Sequence, residues 1–291
     1  MANLAAGTAY GPMSIVAAEQ YYPPDRRVVQ DDLAFRFLPP GLQALTRLAR
    51  WSLPRTLGFN LSEKRASGVW GSVLCRKRFI DDKLLESVRA GIQSVVNLGA
   101  GMDTRVYRSA VLGVIPVFEV DLPENIAYKR EKVRKLFGRI PANVTLIPVD
   151  FDSQDLESCL TAQGFPNGKR SLFLWEAVTQ YLSEEGVRRT MRYLSKAGRG
   201  SRLLFTYIRG DFIDGTNRYG LDALYGAYRG ENPIWHFGLD PQAVAAFLEK
   251  YGWKEVEQIG TKEYAARYLK PIGRVLPVTE IERAVYAEKA T

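Results

Sequence analysis

Gly99 and Gly101 end an apolar run, VVNLGAG (95–101), and Asp121 closes the next one, VIPVFEVD (114–121). A run of this kind reads as a buried parallel strand, and glycines at its carboxyl end let the backbone approach a ligand that a β-carbon would block. A carboxylate about 20 residues beyond the glycines can accept both hydrogen bonds of a ribose diol. Glycines and acid together point to an adenosine-type ligand. A dinucleotide turn wants a third glycine so that a helix start can cradle pyrophosphate, but Thr104 stands there, preceded by Asp103. A carboxylate repels a phosphate. S-adenosylmethionine (SAM) carries no phosphate, and its ammonium suits an acidic loop, so Gly99, Gly101 and Asp103 favour SAM. NAD and a purely structural strand-turn-helix stay open on these residues alone.

Other candidates lie at later strand ends. Asp150 and Phe151 close NVTLIPVDF (143–151), where the acid can accept from an adenine amine and the apolar side chain can pack on the ring. An Asp there is also a common turn former. Glu176 ends the fourth apolar run and is expected to face the reacting end of the cofactor, ionised beside positive charge. Glu184 and Glu185 read as helix-start acids without a further role. Arg76, in VLCRKRFIDD, can clamp a carboxylate through two parallel hydrogen bonds, although composition does not separate it from Lys77 or Arg78. His236 is the only histidine, and as a neutral imidazole it is the candidate general base for a hydroxyl substrate. Tyr181, Tyr225 and Trp235 are candidate substrate contacts. Arg26, Arg27 or Arg209 could hold an acceptor carboxylate.

These residues need a scaffold. Strand candidates recur at 94–99, 114–120, 144–149, 171–176, 201–208, 254–260 and 282–288, with helical periodicity at 124–138, 153–163 and 184–197. Alternation of this kind implies an α/β fold with a parallel sheet wound on both faces. The last two strands could pair as an antiparallel hairpin at one edge. Helical patterns at 13–20, 30–38, 42–50 and 61–90 precede the repeat, and a Gly/Tyr/Asp-rich insertion occupies 209–240. The expected organisation is a helical cap (1–90) and a core (91–291) carrying a lid (209–240), with cap and lid enclosing substrate beyond the strand ends.

Composition narrows the class. The chain has 291 residues, 46% hydrophobic and 25% charged, an ordinary globular balance with room for a large core. No apolar stretch reaches membrane-spanning length, so no membrane partner is expected. The start, MANLAAGTAYGP, lacks an export pattern, and Cys75 and Cys159 are too few for a disulfide framework or a zinc site. The expectation is a cytoplasmic protein with two reduced thiols and no metal. The net charge of +8 raises the question of nucleic acid. Much of it lies in ENIAYKREKVRKLFGRI (124–140), where Lys129, Arg130, Lys132, Arg134, Lys135 and Arg139 alternate with apolar residues as on the wet face of a helix. The wet-face reading is preferred to a nucleic-acid partner on these residues.

Taken together the motifs resemble the leucine carboxyl methyltransferase family, in particular its bacterial branch of SAM-dependent O-methyltransferases. The resemblance runs through GTAY (7–10), VAAEQYYPPDRRVVQDDLAFRFLP (16–39), RKRFIDD (76–82), VVNLGAGMDTRVYR (95–108), FEVDLPENIAYKRE (118–131), PVDF (148–151), WEAVTQYLSEEGV (175–187), SRLLFTYI (201–208) and WHFGLDP (235–241). It implies a class I SAM-dependent methyltransferase (Rossmann-like) sheet of seven strands in the order 3-2-1-4-5-7-6, strand 7 antiparallel. It also implies that Arg76 and Gly99 bind the methionine end, Asp121 the ribose, Asp150 and Phe151 the adenine, and Glu176 the cofactor near its methyl group. Agreement is weakest in the cap and lid, which points to methyl transfer to a hydroxyl or carboxylate oxygen of a small molecule; a protein C-terminal carboxylate or RNA is the alternative acceptor, and a non-enzymatic SAM- or NAD-binding module is a third reading.

Overall fold

The computed structural model describes residues 10–290. Seven strands form one sheet: β1 (Ser94–Leu98), β2 (Val117–Asp121), β3 (Val144–Pro148), β4 (Ser171–Trp175), β5 (Arg202–Ile208), β6 (Trp253–Ile259) and β7 (Glu282–Lys289). Their order is β3-β2-β1-β4-β5-β7-β6, and β7 runs antiparallel to both neighbours. The expected order and the expected antiparallel hairpin are both present: β7 lies between β5 and β6, leaving β6 at the edge. The apolar run at 114–121 enters the sheet late: Val114 is exposed, and Pro116, which has no N–H to donate, precedes the first strand residue.

Every residue of β1, β2 and β4 is buried because both sheet faces are covered. Alternation sorts side chains to two cores: Val95, Leu172, Leu174 and Tyr286 face one, while Val96, Phe173, Trp175 and Val285 face the other. Each such Leu, Val or Phe contributes about 1.5–3 kcal/mol by leaving water. Where polar residues enter the sheet they pair, as the Ser94 and Ser171 hydroxyls do at 2.7 Å between β1 and β4.

The helices of eight residues or more are α1 (Tyr10–Glu19), α2 (Pro40–Arg47), α3 (Ser52–Arg65), α4 (Val69–Arg89), α5 (Pro123–Phe137), α6 (Glu184–Leu194) and α7 (Asp222–Arg229). The pattern at 61–90 is two helices, not one. Gly68 divides them with φ +79°, and a Cβ there would lie 2.4 Å from the Thr279 backbone nitrogen. Residues 1–9 of the expected cap lie outside the described residues. The insertion at 209–240 is anchored at its base, where Gly210 N–H donates to Leu239 O at 2.9 Å and Leu239 N–H to Ile208 O at 3.1 Å. Phe212, Leu221, Trp235 and Ile281 give it a small core of its own. Among the described residues no helix is long and apolar enough to cross a membrane, and no His/Cys/Asp/Glu group could hold a metal ion.

Candidate cofactor crevice

Strand order reverses between β1 and β4, and the crevice lies beyond the carboxyl ends there, as it must in an open α/β sheet. Its volume is about 690 Å3, within the roughly 300–1,000 Å3 of small-ligand sites. Arg76, Gly99, Gly101, Asp103, Asp121, Asp150, Phe151 and Glu176 all line it.

The turn after β1 is fastened to β2. Gly99 and Ala100 N–H groups donate to Val120 O at 2.8 and 3.0 Å, and Gly101 N–H donates to Asp121 Oδ2 at 2.5 Å. Asp121 Oδ1 accepts from Leu122 N–H and Asn125 Nδ2, each at 2.7 Å. Burial pushes the Asp121 carboxyl up, against the opposing pull of Asn125 and these two N–H groups. Gly99 sits at φ +72°, and a Cβ would lie 2.1 Å from Val178 Cγ2, so its nearest constraint is the β4 loop rather than a ligand. Lys129 corrects the wet-face reading of 124–140: it is fully buried, donating to Ala100 O at 3.2 Å and to Glu119 Oε1 at 2.5 Å.

An ion network forms the crevice wall around Arg76 and Glu176. Arg76 Nε donates to Glu176 at 2.8 Å and its Nη1 to Glu282 at 2.6 Å, while Nη2 has no bond among the described residues. Lys77 reaches Glu176 at 3.2 Å. Arg105 joins Glu176 at 2.8 Å, Asp81 at 2.7 Å and Asp103. Arg78 points elsewhere, pairing with Asp82 at 2.9 Å on the surface, so the fold separates the three cations that composition left equivalent. Burial raises the Glu176 carboxyl, and Lys77, Arg105 and Arg76 outweigh it, holding the group at about 2. Burial acts on Asp103 in the same sense and is likewise outweighed, chiefly by Arg105, which holds this carboxyl far below its ordinary range. Glu176 precedes Ala177, a non-glycine residue at φ +55° whose N–H donates to Thr206 Oγ1 at 2.8 Å. Such a conformation costs on the order of 1–3 kcal/mol and collects at functional sites.

Asp150 does what a turn former does, its carboxylate accepting from Asp152 N–H at 3.0 Å and Ser153 Oγ at 2.8 Å, yet it also borders the crevice beside buried Phe151. Tyr181 and His236 line the crevice, the exposed imidazole without a hydrogen-bond partner among the described residues. Tyr225 and Trp235 do not line it. Trp235 stacks on Tyr228 at 4.3 Å and Tyr225 meets Phe212 edge-on at 5.5 Å, because these rings fill the lid's own core. From the lid, Pro233, Ile234 and His236 reach the crevice; from α1, Pro12 and Met13 do. The three candidate clamps for an acceptor carboxylate are engaged elsewhere. Arg26 donates to Gly273 O at 2.9 Å, Arg27 to Tyr22 O at 2.8 Å, and Arg209 to Asp211 at 2.9 Å, and none lines the crevice.

Sequence reasoning missed Arg105, Asn125 and Glu282. Asn125 stands one helical turn after Asp121, a spacing that could have revealed it. Arg105 lay in plain view two residues after Asp103. Glu282 arrives from β7, 206 residues beyond Arg76, with no local signal.

The helix following the turn, Arg105–Arg108, has only four residues, and Asp103 Oδ1 already accepts its first N–H at 2.8 Å. The position where a dinucleotide would seat its pyrophosphate is thus filled by the chain's own carboxylate. Among the described residues only Arg76 and Lys77 supply permanent positive charge to the lining, against Asp103, Asp121, Asp150, Asp152, Glu176 and Glu184. A cationic nucleoside fits this wall and a polyanion does not.

Sheet order and crevice together define a class I methyltransferase-like α/β protein. The chain belongs to the leucine carboxyl methyltransferase family, whose model matches residues 9–195. Among relatives, a Mycolicibacterium gilvum protein is 30% identical over 248 residues, 80% of this chain and 76% of its own. One from Mycolicibacterium paratuberculosis is 28% identical over 280 residues, covering 93% and 86%. Both are named "Putative S-adenosyl-L-methionine-dependent methyltransferase". The crystal structure of "a putative methyltransferase from Thermobifida fusca YX" aligns with TM-score 0.60 at 19% identity, covering 84% of this chain and 90% of that one, which shows the shared fold.

Proposed function

We propose that the protein is a SAM-dependent O-methyltransferase acting on a small-molecule hydroxyl group. The observation that carries the cofactor assignment is the β1 turn, whose anion position is taken by Asp103 while carboxylates surround the crevice. In this reading Arg76 Nη2 holds the cofactor's carboxylate, Gly99 and Asp103 its ammonium, Asp121 the ribose, and Asp150 with Phe151 the adenine. Glu176, held ionised by its three cations, faces the positive end. The Gly101 N–H and Asn125 orient Asp121 for its part.

When bound, the sulfonium supplies a methyl group for in-line displacement by an acceptor oxygen. The chain's contribution is to hold the partners collinear in a dry site, an effect that can supply about 7–11 kcal/mol. Pro12 and Met13 from the cap and Pro233 and Ile234 from the lid supply the apolar rim of the crevice. A hydroxyl acceptor is favoured over a carboxylate because, among the described residues, the only lysine and arginine in the lining belong to the wall assigned to the methionine end, whereas His236 borders the crevice as a candidate general base.

The test supplies methyl-labelled SAM to the enzyme with cell extract separated into small-molecule, protein and RNA fractions. Label is expected in the small-molecule fraction as a base-stable methyl ether. Label confined to protein or RNA, or released as a base-labile ester, contradicts the reading.

A further inference from the structure

We propose that the leucine face of α2 and α3 is a docking surface for an anionic lipid membrane. Helix α3 has no buried residue along its 14 positions. Leu53, Leu57 and Leu61, at i, i+4 and i+8, form one stripe and remain 69%, 54% and 61% exposed. Leu45, Leu48 and Trp51, on the helix and turn that pack beside it, are 62%, 44% and 50% exposed. Scattered exposed leucines need no explanation, but a contiguous patch of this kind marks an interaction surface.

The helix is turned against the usual sense, in which the apolar stripe faces the core. Its inward contacts include polar ones: Arg55 donates to Tyr21 O and Ala49 O at 3.1 Å each and lies 4.4 Å over the Tyr22 ring, and Glu63 accepts from Gly68 N–H at 2.8 Å. The leucines face outward.

Charge selects the occupant. Besides the inward-bonded Arg55, residues 34–65 contain Arg36, Arg47, Arg50, Lys64 and Arg65 against one acid, Glu63, which is engaged with Gly68. Two copies meeting through this face would bring like charges together. A lipid surface takes both components, leucines among acyl chains and cations among anionic headgroups. Trp51, half exposed with the Arg50 guanidinium 3.9 Å over its ring, suits the headgroup level. The face lies on the bilayer without crossing it, since 14 residues are too few to span the hydrocarbon core. The absence of a spanning segment therefore does not bear on this surface.

Flotation of the full chain with vesicles tests it. Binding is expected to phosphatidylcholine vesicles containing phosphatidylglycerol, to weaken in high salt, and to be lost with phosphatidylcholine alone. Leu57→Glu, or Leu53→Gln as a milder second variant, should lower partitioning, and Arg47→Glu/Arg50→Glu should lower it at least about tenfold. Unchanged thermal melting serves as the folding control. No flotation of the wild type with phosphatidylglycerol overturns the proposal, as does a dimer in light scattering that Leu57→Glu dissociates without any vesicle binding.

Discussion

The ammonium of Lys129 bridges the carbonyl of Ala100 and the carboxylate of Glu119, tying α5 to both the turn after β1 and the interior of β2. Tyr107 O–H donates to the other Glu119 oxygen at 2.5 Å. The pair fixes the backbone of the turn that borders the crevice. Replacing Lys129 by Met leaves a buried carboxylate short of its partner, a loss of about 3–5 kcal/mol. Urea unfolding should show it as a lower midpoint, and Lys129→Met/Glu119→Gln should recover part of the loss. A single variant as stable as wild type would show that the bridge contributes nothing.

Gly99 answers to two constraints at once. Its φ of +72° disfavours any L side chain, and a Cβ would collide with Val178. Gly99→Ala is expected to destabilise by about 1–3 kcal/mol and to weaken SAM binding. Adding Val178→Ala removes the collision but not the backbone strain, so stability should return only in part. Full recovery would mean that φ is unimportant at this position.

Glu176 gives a pH signature. Its carboxyl lies at about 2 in the folded protein against an ordinary value of 4.5. A depressed carboxyl stabilises the fold fully above the unfolded value and loses that contribution as pH falls through the folded one. The stability difference between wild type and Glu176→Gln, about 3–5 kcal/mol near neutral pH, should hold down to about pH 5 and shrink toward pH 2. Unfolding midpoints across that range measure it. A difference independent of pH would show that the network does not hold Glu176 ionised.

Much of this was legible in the chain, for physical reasons. The apolar runs of β1, β2, β4 and β5 were legible because a sheet covered on both faces demands continuous hydrophobic segments there, whereas the edge strand β6, WKEVEQI, is partly exposed. Glycines and strand-end acids announced the crevice because only a few residue types suit those positions. Lys129 was misread because a lysine among apolar residues at helical spacing resembles a solvated face, and only the third dimension brings Glu119 beneath it. Trp235 and Tyr225 were expected at the substrate, yet an insertion of about 30 residues must first build a core for itself, and its largest rings serve that need. The division at Gly68 depended on the distant Thr279 backbone. Glu282 was invisible beside Arg76 until β7 folded between β5 and β6.

Calorimetric titration of the wild type and Asp121→Ala with SAM, its demethylated product and NAD tests the central claim most directly. The wild type should bind SAM and the product and ignore NAD, and Asp121→Ala should weaken both at least about 100-fold through loss of charge-assisted hydrogen bonds. Tight NAD binding without SAM binding, or unchanged SAM affinity in Asp121→Ala, would contradict the account.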